Sequence, residues 1–103
     1  MRTMITRDDI MMALAPVKDP EIGIGVVDLG LIYDVIVDGS KLTILMTLTT
    51  PACPYGQELM EAVRIAGLRL KNITKAEIEL VWDPQWNPAE MASDYTKDVL
   101  GIW

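Results

Sequence analysis

Apolar residues recur along this chain at two periods, and the switches between them outline the fold. Ile10, Leu14 and Val17 follow Thr6 at helical spacing. Thr6 with Asp9 three residues on reads as an acidic capping box, and Ile5 with Ile10 as a hydrophobic staple. Pro16 limits this first helix. The loop Lys18-Asp19-Pro20-Glu21-Ile22-Gly23-Ile24-Gly25 follows. Alternation then takes over from Leu31 to Val37 and again from Leu42 to Thr49, where Leu42, Ile44, Met46 and Leu48 share one face. The Asp38-Gly39-Ser40-Lys41 turn between them predicts an antiparallel hairpin.

Helical spacing returns from Pro54 to about Lys71, with Leu59, Val63, Ala66 and Leu70 as the buried stripe. Gly67 inside that stripe costs roughly 1 kcal/mol against alanine, which points to close packing there. A third alternating run, Lys75 to Trp82, sets Ala76, Ile78, Leu80 and Trp82 against Lys75, Glu77, Glu79 and Val81. A last helix is predicted after Asn87, with Asn87 as cap, Pro88 at the first position, Glu90 closing a capping box and Trp86 stapled to Met91. The order α-β-β-α-β-α predicts a single α/β (α+β) domain over residues 1–103. Its sheet is three-stranded and mixed, with helices on one face and a right-handed crossover between strands two and three. The other face carries Ile36, Leu45 and Val81 among threonines and charges, either as scattered surface residues or as a self-association patch.

Charge narrows the partners. Nine Lys and Arg stand against fifteen Asp and Glu, a net charge of −6. Nucleic acid and anionic membrane are therefore not expected as main partners, since phosphate binding needs a basic surface. Arg64, Arg69, Lys71 and Lys75 gather near a predicted helix end, as a solvated face or a docking patch for an acidic partner. One cysteine cannot form an internal disulfide, and the N-terminal run lacks the long apolar stretch of a signal peptide, so a cytoplasmic protein is expected.

The candidate chemistry centres on that one cysteine. Cys53 lies in Thr49-Thr50-Pro51-Ala52-Cys53-Pro54-Tyr55-Gly56, between a predicted strand and a predicted helix, at the cap position. There the amides of Tyr55 and Gly56 would face the sulfur, and the dipole end would favour thiolate over thiol. Gly56 would leave room for a ligand near the backbone. The chain has no histidine, so a Cys–His dyad is excluded. A small buried hydrophobe is the other reading of a free cysteine. Asp19, Glu21 and Asp28 form an acidic group in loops near one strand end. They read as turn and cap residues, or, if the hairpin sets Leu31 beside Thr49, as neighbours of Cys53. In Trp82-Asp83-Pro84-Gln85-Trp86, Trp82 is assigned to the core and Trp86, with Met91, to a partner surface.

Together these stretches resemble one family. Asp19-Pro20-Glu21 with Val26-Val27-Asp28-Leu29-Gly30-Leu31-Ile32-Tyr33, the motif Thr49-Thr50-Pro51-Ala52-Cys53-Pro54, and Trp82-Asp83-Pro84-Gln85-Trp86 with Met91-Ala92-Ser93 are similar to the PaaD-like/SufT-like small domains, in order and spacing. The resemblance implies an iron–sulfur assembly domain that assembles or delivers clusters, or matures their clients, and is not an enzyme. It implies Cys53 as the working thiol, with a supporting pocket of Asp28, Thr49, Thr50, Pro54, Tyr55 and Gly56. The implied cargo is a transient iron–sulfur cluster or iron, none tightly bound. Implied partners are iron–sulfur clients and assembly machinery, a P-loop ATPase carrier in trans, and a second copy in a homodimer. Two alternatives stand beside this: a metal-free adaptor for a multicomponent enzyme such as an aromatic-acid oxygenase, and a thiol-dependent redox protein.

Overall fold

A computed structural model describes residues 5–20, 22–49, 55–83 and 85–101, with the side chains of Pro88, Val99 and Leu100 outside the description. Helix α1 (Arg7–Leu14) opens on the expected box: Asp9 N–H donates to Thr6 Oγ1 and Thr6 N–H to the Asp9 carboxylate. Ile10 and Leu14 are buried, and Ile5 and Val17 pack on the same cluster. Strands β1 (Ile32–Asp38) and β2 (Lys41–Met46) pair antiparallel around Gly39-Ser40. Gly39 has φ 63°, as the first central residue of a type II′ turn requires. Helix α3 (Gly56–Leu68) then carries the chain over to β3 (Lys75–Leu80), which pairs parallel with β2 from Lys41↔Lys75 to Met46↔Leu80. The sheet order is β1-β2-β3.

The central strand supplies the middle of the core. Leu42, Ile44 and Met46 are fully buried, against Leu59 and Val63 of α3 and Ile10 and Leu14 of α1. Each such side chain contributes about 1.5–3 kcal/mol by leaving water. Gly67 earns its place here: a Cβ would stand 2.9 Å from Leu42 Cδ2 and 3.4 Å from Ile44 Cδ1. On the open face Ile36 is exposed, Leu45 and Val81 are half-buried, and register places Asp34, Thr43 and Glu79 among them. Among the described residues no helix is long and apolar enough to cross a membrane.

Three departures from the sequence reading matter for the site. A one-turn helix, α2 (Val26–Leu29), follows Gly25 and ends on Gly30 in the left-handed region, φ 78°. The signal was present as Gly-x-x-x-x-Gly, but four residues are too few to show helical periodicity. The strands end sooner than expected, at Met46 and Leu80; Thr47 N–H reaches Leu31 O, Val81 N–H reaches Met46 O, and the chains then diverge. The single predicted C-terminal helix is two, α4 (Pro88–Met91) and α5 (Asp94–Leu100), because Ser93 caps a new start by accepting from Thr96 N–H. Asn87 does cap α4, accepting from Ala89 N–H at 3.1 Å. The expected Glu90 box is replaced, since Asn87 N–H donates to Met91 Sδ at 3.4 Å.

On the open face, Lys41 and Lys75 sit side by side in register and both grip Glu77, at 3.2 and 3.4 Å. The Lys41 hydrogen bond, then the Lys75 one, hold the Glu77 carboxyl below its ordinary 4.5. A carboxyl held low in the folded state stabilises it above the unfolded pKa, and that contribution is lost as pH falls from about 4.5 through the lower folded value. Glu77→Gln should therefore melt earlier than the parent near neutrality by a small amount, with the gap closing in acid and in high salt; melting curves across pH check this. Larger effects belong to Gly30, where a Cβ would lie 2.2 Å from Met91 O and φ is positive. Gly30→Ala should cost roughly 2–5 kcal/mol in urea unfolding. Gly67→Ala, meeting only the tips of Leu42 and Ile44, should stay within about 1 kcal/mol of the parent.

Candidate functional site

Strands β2 and β3 run parallel, so their carboxyl ends open at one end of the sheet, where α3 begins. Segments leaving parallel strands diverge there and leave a crevice. Leu48, Thr49, Trp82, Gln85 and Trp86 line a cavity of about 250 Å³ at this end. Leu48 follows β2 and packs its Cδ1 against α3, 2.8 Å from where a Cβ on Gly56 would be. The absent side chain at 56 therefore serves helix packing, and the space expected there for a ligand is filled by Leu48. The far wall comes from the segment after β3, which crosses the end of the sheet as a strap.

The carbonyls of α2 hold the strap. A one-turn helix leaves all but the first of its four C=O groups without the usual i→i−4 partner. Val26 O accepts from Gly30 and Leu31 N–H, and Val27 O from Gly30 N–H. Asp28 O accepts from Ser93 N–H at 2.8 Å, and Leu29 O from the Trp86 indole N–H at 2.8 Å. Met91 lies between these two anchors, with its backbone against Gly30. Tyr33, the extra residue in a β1 irregularity between Ile32 and Asp34, donates its hydroxyl to Met91 Sδ at 3.6 Å. Burial pushes the Tyr33 phenol above its ordinary pKa; the Thr47 hydroxyl beside it acts against this, and the Asp83 charge adds to it. Thr47 Oγ1 is itself fully buried, with the Tyr33 phenol as its neighbour.

The two tryptophans exchange the roles the sequence assigned them. Trp86 is half-buried against the core and hydrogen-bonded, whereas Trp82 is 44% exposed at the cavity mouth. Strand β3 is an edge strand, and burial fades along it from Ala76 through Ile78 to Leu80, so alternation alone overstated how far its core face extends. Met91 is likewise a strap contact and only half-exposed. Thr49 lines the cavity, but Leu31 is bonded to Thr47, two residues short of it. Asp28 is exposed in the first turn of α2, with Oδ2 turned toward Gly25, 3.8 Å from where a Cβ there would be. That is the cap-like position of an acid at a helix start. Asp19 is buried in a tight loop in which its N–H donates to Ile24 O and its C=O accepts from Gly23 N–H.

Helix α3 takes Tyr55, not Cys53, as its N-cap: Tyr55 O accepts the first helical bond, from Leu59 N–H at 2.9 Å. The free amides at this helix start are thus those of Gly56, Gln57 and Glu58. Cys53 stands two residues before the cap and, with Thr50, Pro54 and Glu21, lies outside the described residues. Among the described residues, no group of three or more His, Cys, Asp or Glu side chains converges as a metal site.

Residues 7–80 match the family described as iron-sulfur cluster assembly protein. The chain belongs to that family. This iron–sulfur assembly domain is 42% identical over 97 residues to the Fe-S protein maturation auxiliary factor YitW of Bacillus subtilis, covering 93% of this chain and 94% of that one. It is 40% identical over 87 residues to the Fe-S protein maturation auxiliary factor SufT of Staphylococcus aureus, covering 84% of this chain and 98% of that one. Its fold superposes on the crystal structure of a Domain of Unknown Function DUF59 from Bacillus anthracis with a TM-score of 0.85 and 33% identity, covering 93% and 92% of the two chains. The family match ends with β3; the strap that closes the cavity of this assembly domain follows it.

Sequence reading missed Leu48 and Gln85 as cavity walls and Trp82 as its exposed member. Trp82 and Gln85, both within a quoted motif, carried a signal; Leu48 did not. If the indole bond fastens the strap, Trp86→Phe should lose about 1–3 kcal/mol by leaving Leu29 O unpaired. Trp82→Phe, with an exposed ring, should unfold at nearly the parent urea concentration. Equal losses from both substitutions would contradict this assignment.

Proposed function

We propose that this protein matures iron–sulfur proteins, and that its working group is the Cys53 thiol. The observation that carries the reading is the family match over residues 7–80 in a chain with one cysteine and no histidine, so that Cys53 is the one side chain suited to a thiolate–iron bond. Position supports it. The cysteine segment leaves the cavity wall at Thr49 and joins α3 at Tyr55, next to Gly56, which packs on the wall residue Leu48.

Clusters are ordinarily held by four protein ligands, usually cysteines. A single thiol supplies one of them. The remainder come from a second copy of the chain, a small thiol, a carrier ATPase acting in trans, or the client's own cysteines. Incomplete ligation suits passing a cluster on better than storing it, because the client that completes the ligand set becomes the more stable holder. Asp28, Thr49, Thr50, Pro54, Tyr55 and Gly56 shape the surroundings of the thiol, with Asp19 and Glu21 in the adjoining loop. We place the protein in the cytoplasm, where thiols stay reduced. A metal-free adaptor is the competing reading, and the exposed Trp82 at an open cavity favours it.

Cys53→Ser separates the two. In cells carrying only the variant, activity of iron–sulfur client enzymes should fall to the level of a deletion, while the purified variant unfolds at the parent's urea concentration. Anaerobic reconstitution with iron and sulfide should give a visible absorption in the parent that the variant lacks. Full client activity with Cys53→Ser would overturn the thiol reading and leave the adaptor.

A further inference from the structure

Among its described lining residues the cavity has no lysine or arginine. The chain has no lysine or arginine from Asp19 to Ser40, from Leu42 to Val63, or from Ala76 to Thr96. Those stretches include every residue that lines the cavity, and beside it Asp83, next to Trp82, and Glu58, in the first turn of α3 after Gly56, are exposed, as are Asp28 on α2 and Glu90 on α4. Four cations lie toward the other end of the sheet, two of them on Glu77, while Lys18 pairs with Gly25 beside α2. Lys41 and Lys75 begin the parallel pair β2 and β3, Arg69 caps the far end of α3, and Lys71 follows it. Lys97 on α5 is already engaged in an interaction of its own. At the acidic end, the cavity offers apolar walls in Leu48, Trp82 and Trp86, with Tyr55 at the nearby helix start; Trp82 is 44% and Tyr55 42% exposed.

From this juxtaposition we infer that the cavity end docks a basic protein segment that inserts one apolar side chain between Trp82 and Leu48 while its lysines or arginines face Asp83, Glu58 and Glu90. The inference takes this end as the working site and adds the chemistry of the partner. An aliphatic or aromatic side chain suits a cavity of about 250 Å³. Opposite charge around it sets orientation and speeds encounter, and like charge rejects acidic surfaces. Docking by an acidic partner at the Arg69–Lys71 end is the competing outcome.

The test uses the full chain and two probes: a short peptide with one central phenylalanine flanked by lysines, and the same peptide with glutamates in place of the lysines. Amide and indole N–H signals are followed by nuclear magnetic resonance. The lysine peptide should shift the Trp82 and Trp86 indole signals. Its affinity should fall about tenfold or more between roughly 0.05 and 0.5 M salt, as screening shortens the reach of the rim charges. The glutamate peptide should bind at least about tenfold more weakly. Asp83→Asn with Glu90→Gln should weaken the lysine peptide severalfold without changing the fold. Equal binding of the two peptides, shifts centred on Arg69 and Lys71, or no indole shift at millimolar peptide would overturn the proposal. Repeating the titration with Cys53→Ser keeps the two readings apart. Docking by that variant together with full client maturation would remove the thiol role and leave the surface standing. An inactive variant with no docking in either protein would remove the surface and leave the thiol.

Discussion

The candidate site depends on how a one-turn helix has its carbonyls satisfied. An α-helix of four residues contains none of the interior bonding that normally accounts for most of a helix's polar groups. In α2 every carbonyl nevertheless has a partner, and two of the four partners come from the strap, more than fifty residues further along the chain. Buried or half-buried backbone acceptors left unpaired are costly, so α2 and the strap each require the other. Gly30 makes the approach possible. It ends the helix in a left-handed turn and offers no Cβ where the Met91 carbonyl must pass. With that contact made, Trp86 is fixed, the cavity has its far wall, and Trp82 is left at the mouth.

Much of the frame was legible from periodicity because burial alternates strictly where the sheet is covered. Leu42, Ile44 and Met46 on β2 were assignable from spacing alone, as was the Thr6–Asp9 box on α1. The failures on β3 have one physical origin. Periodicity reports which side of an element faces the core, but not where the covering layer ends. Trp82 continues the alternation of β3 perfectly and is still exposed, because the sheet pairing stops at Leu80. Trp86 has no periodic partner, and only the distant Leu29 carbonyl explains its burial. Helix α2 is invisible to a window longer than itself. The cap of α3 moved from Cys53 to Tyr55 because the acceptor of the first helical bond decides it, and sequence preference for a residue after which proline begins a helix does not.

Gly56 shows how a local motif can be read correctly as a constraint and wrongly as to its cause. A glycine beside a candidate thiol suggests room for a bound group. Here the room is taken by Leu48, whose side chain ties the end of β2 to the start of α3. The two segments that bound the cysteine stretch are thereby locked to each other across it.

That division of labour changes what the three sequence motifs mean. The first, through Asp28 and Gly30, and the third, through Trp86, Met91 and Ser93, hold one another, and their contacts are accounted for by backbone satisfaction and close packing. The residue types at Gly30, Trp86, Met91 and Ser93 follow from folding without reference to a cluster. What they create is the far wall of the cavity, from whose near wall, at Thr49, the second motif begins. The second motif is bounded by Thr49 and Tyr55, and the folding argument for the other two does not reach its cysteine. Binding chemistry has to be placed on rigid supports to be selective. Under the proposed reading, such a signature mixes residues that build the support with one that works on it. Stability would then separate the two classes, because a change in the support disturbs folding and function together, while a change confined to the proposed thiol would disturb function alone.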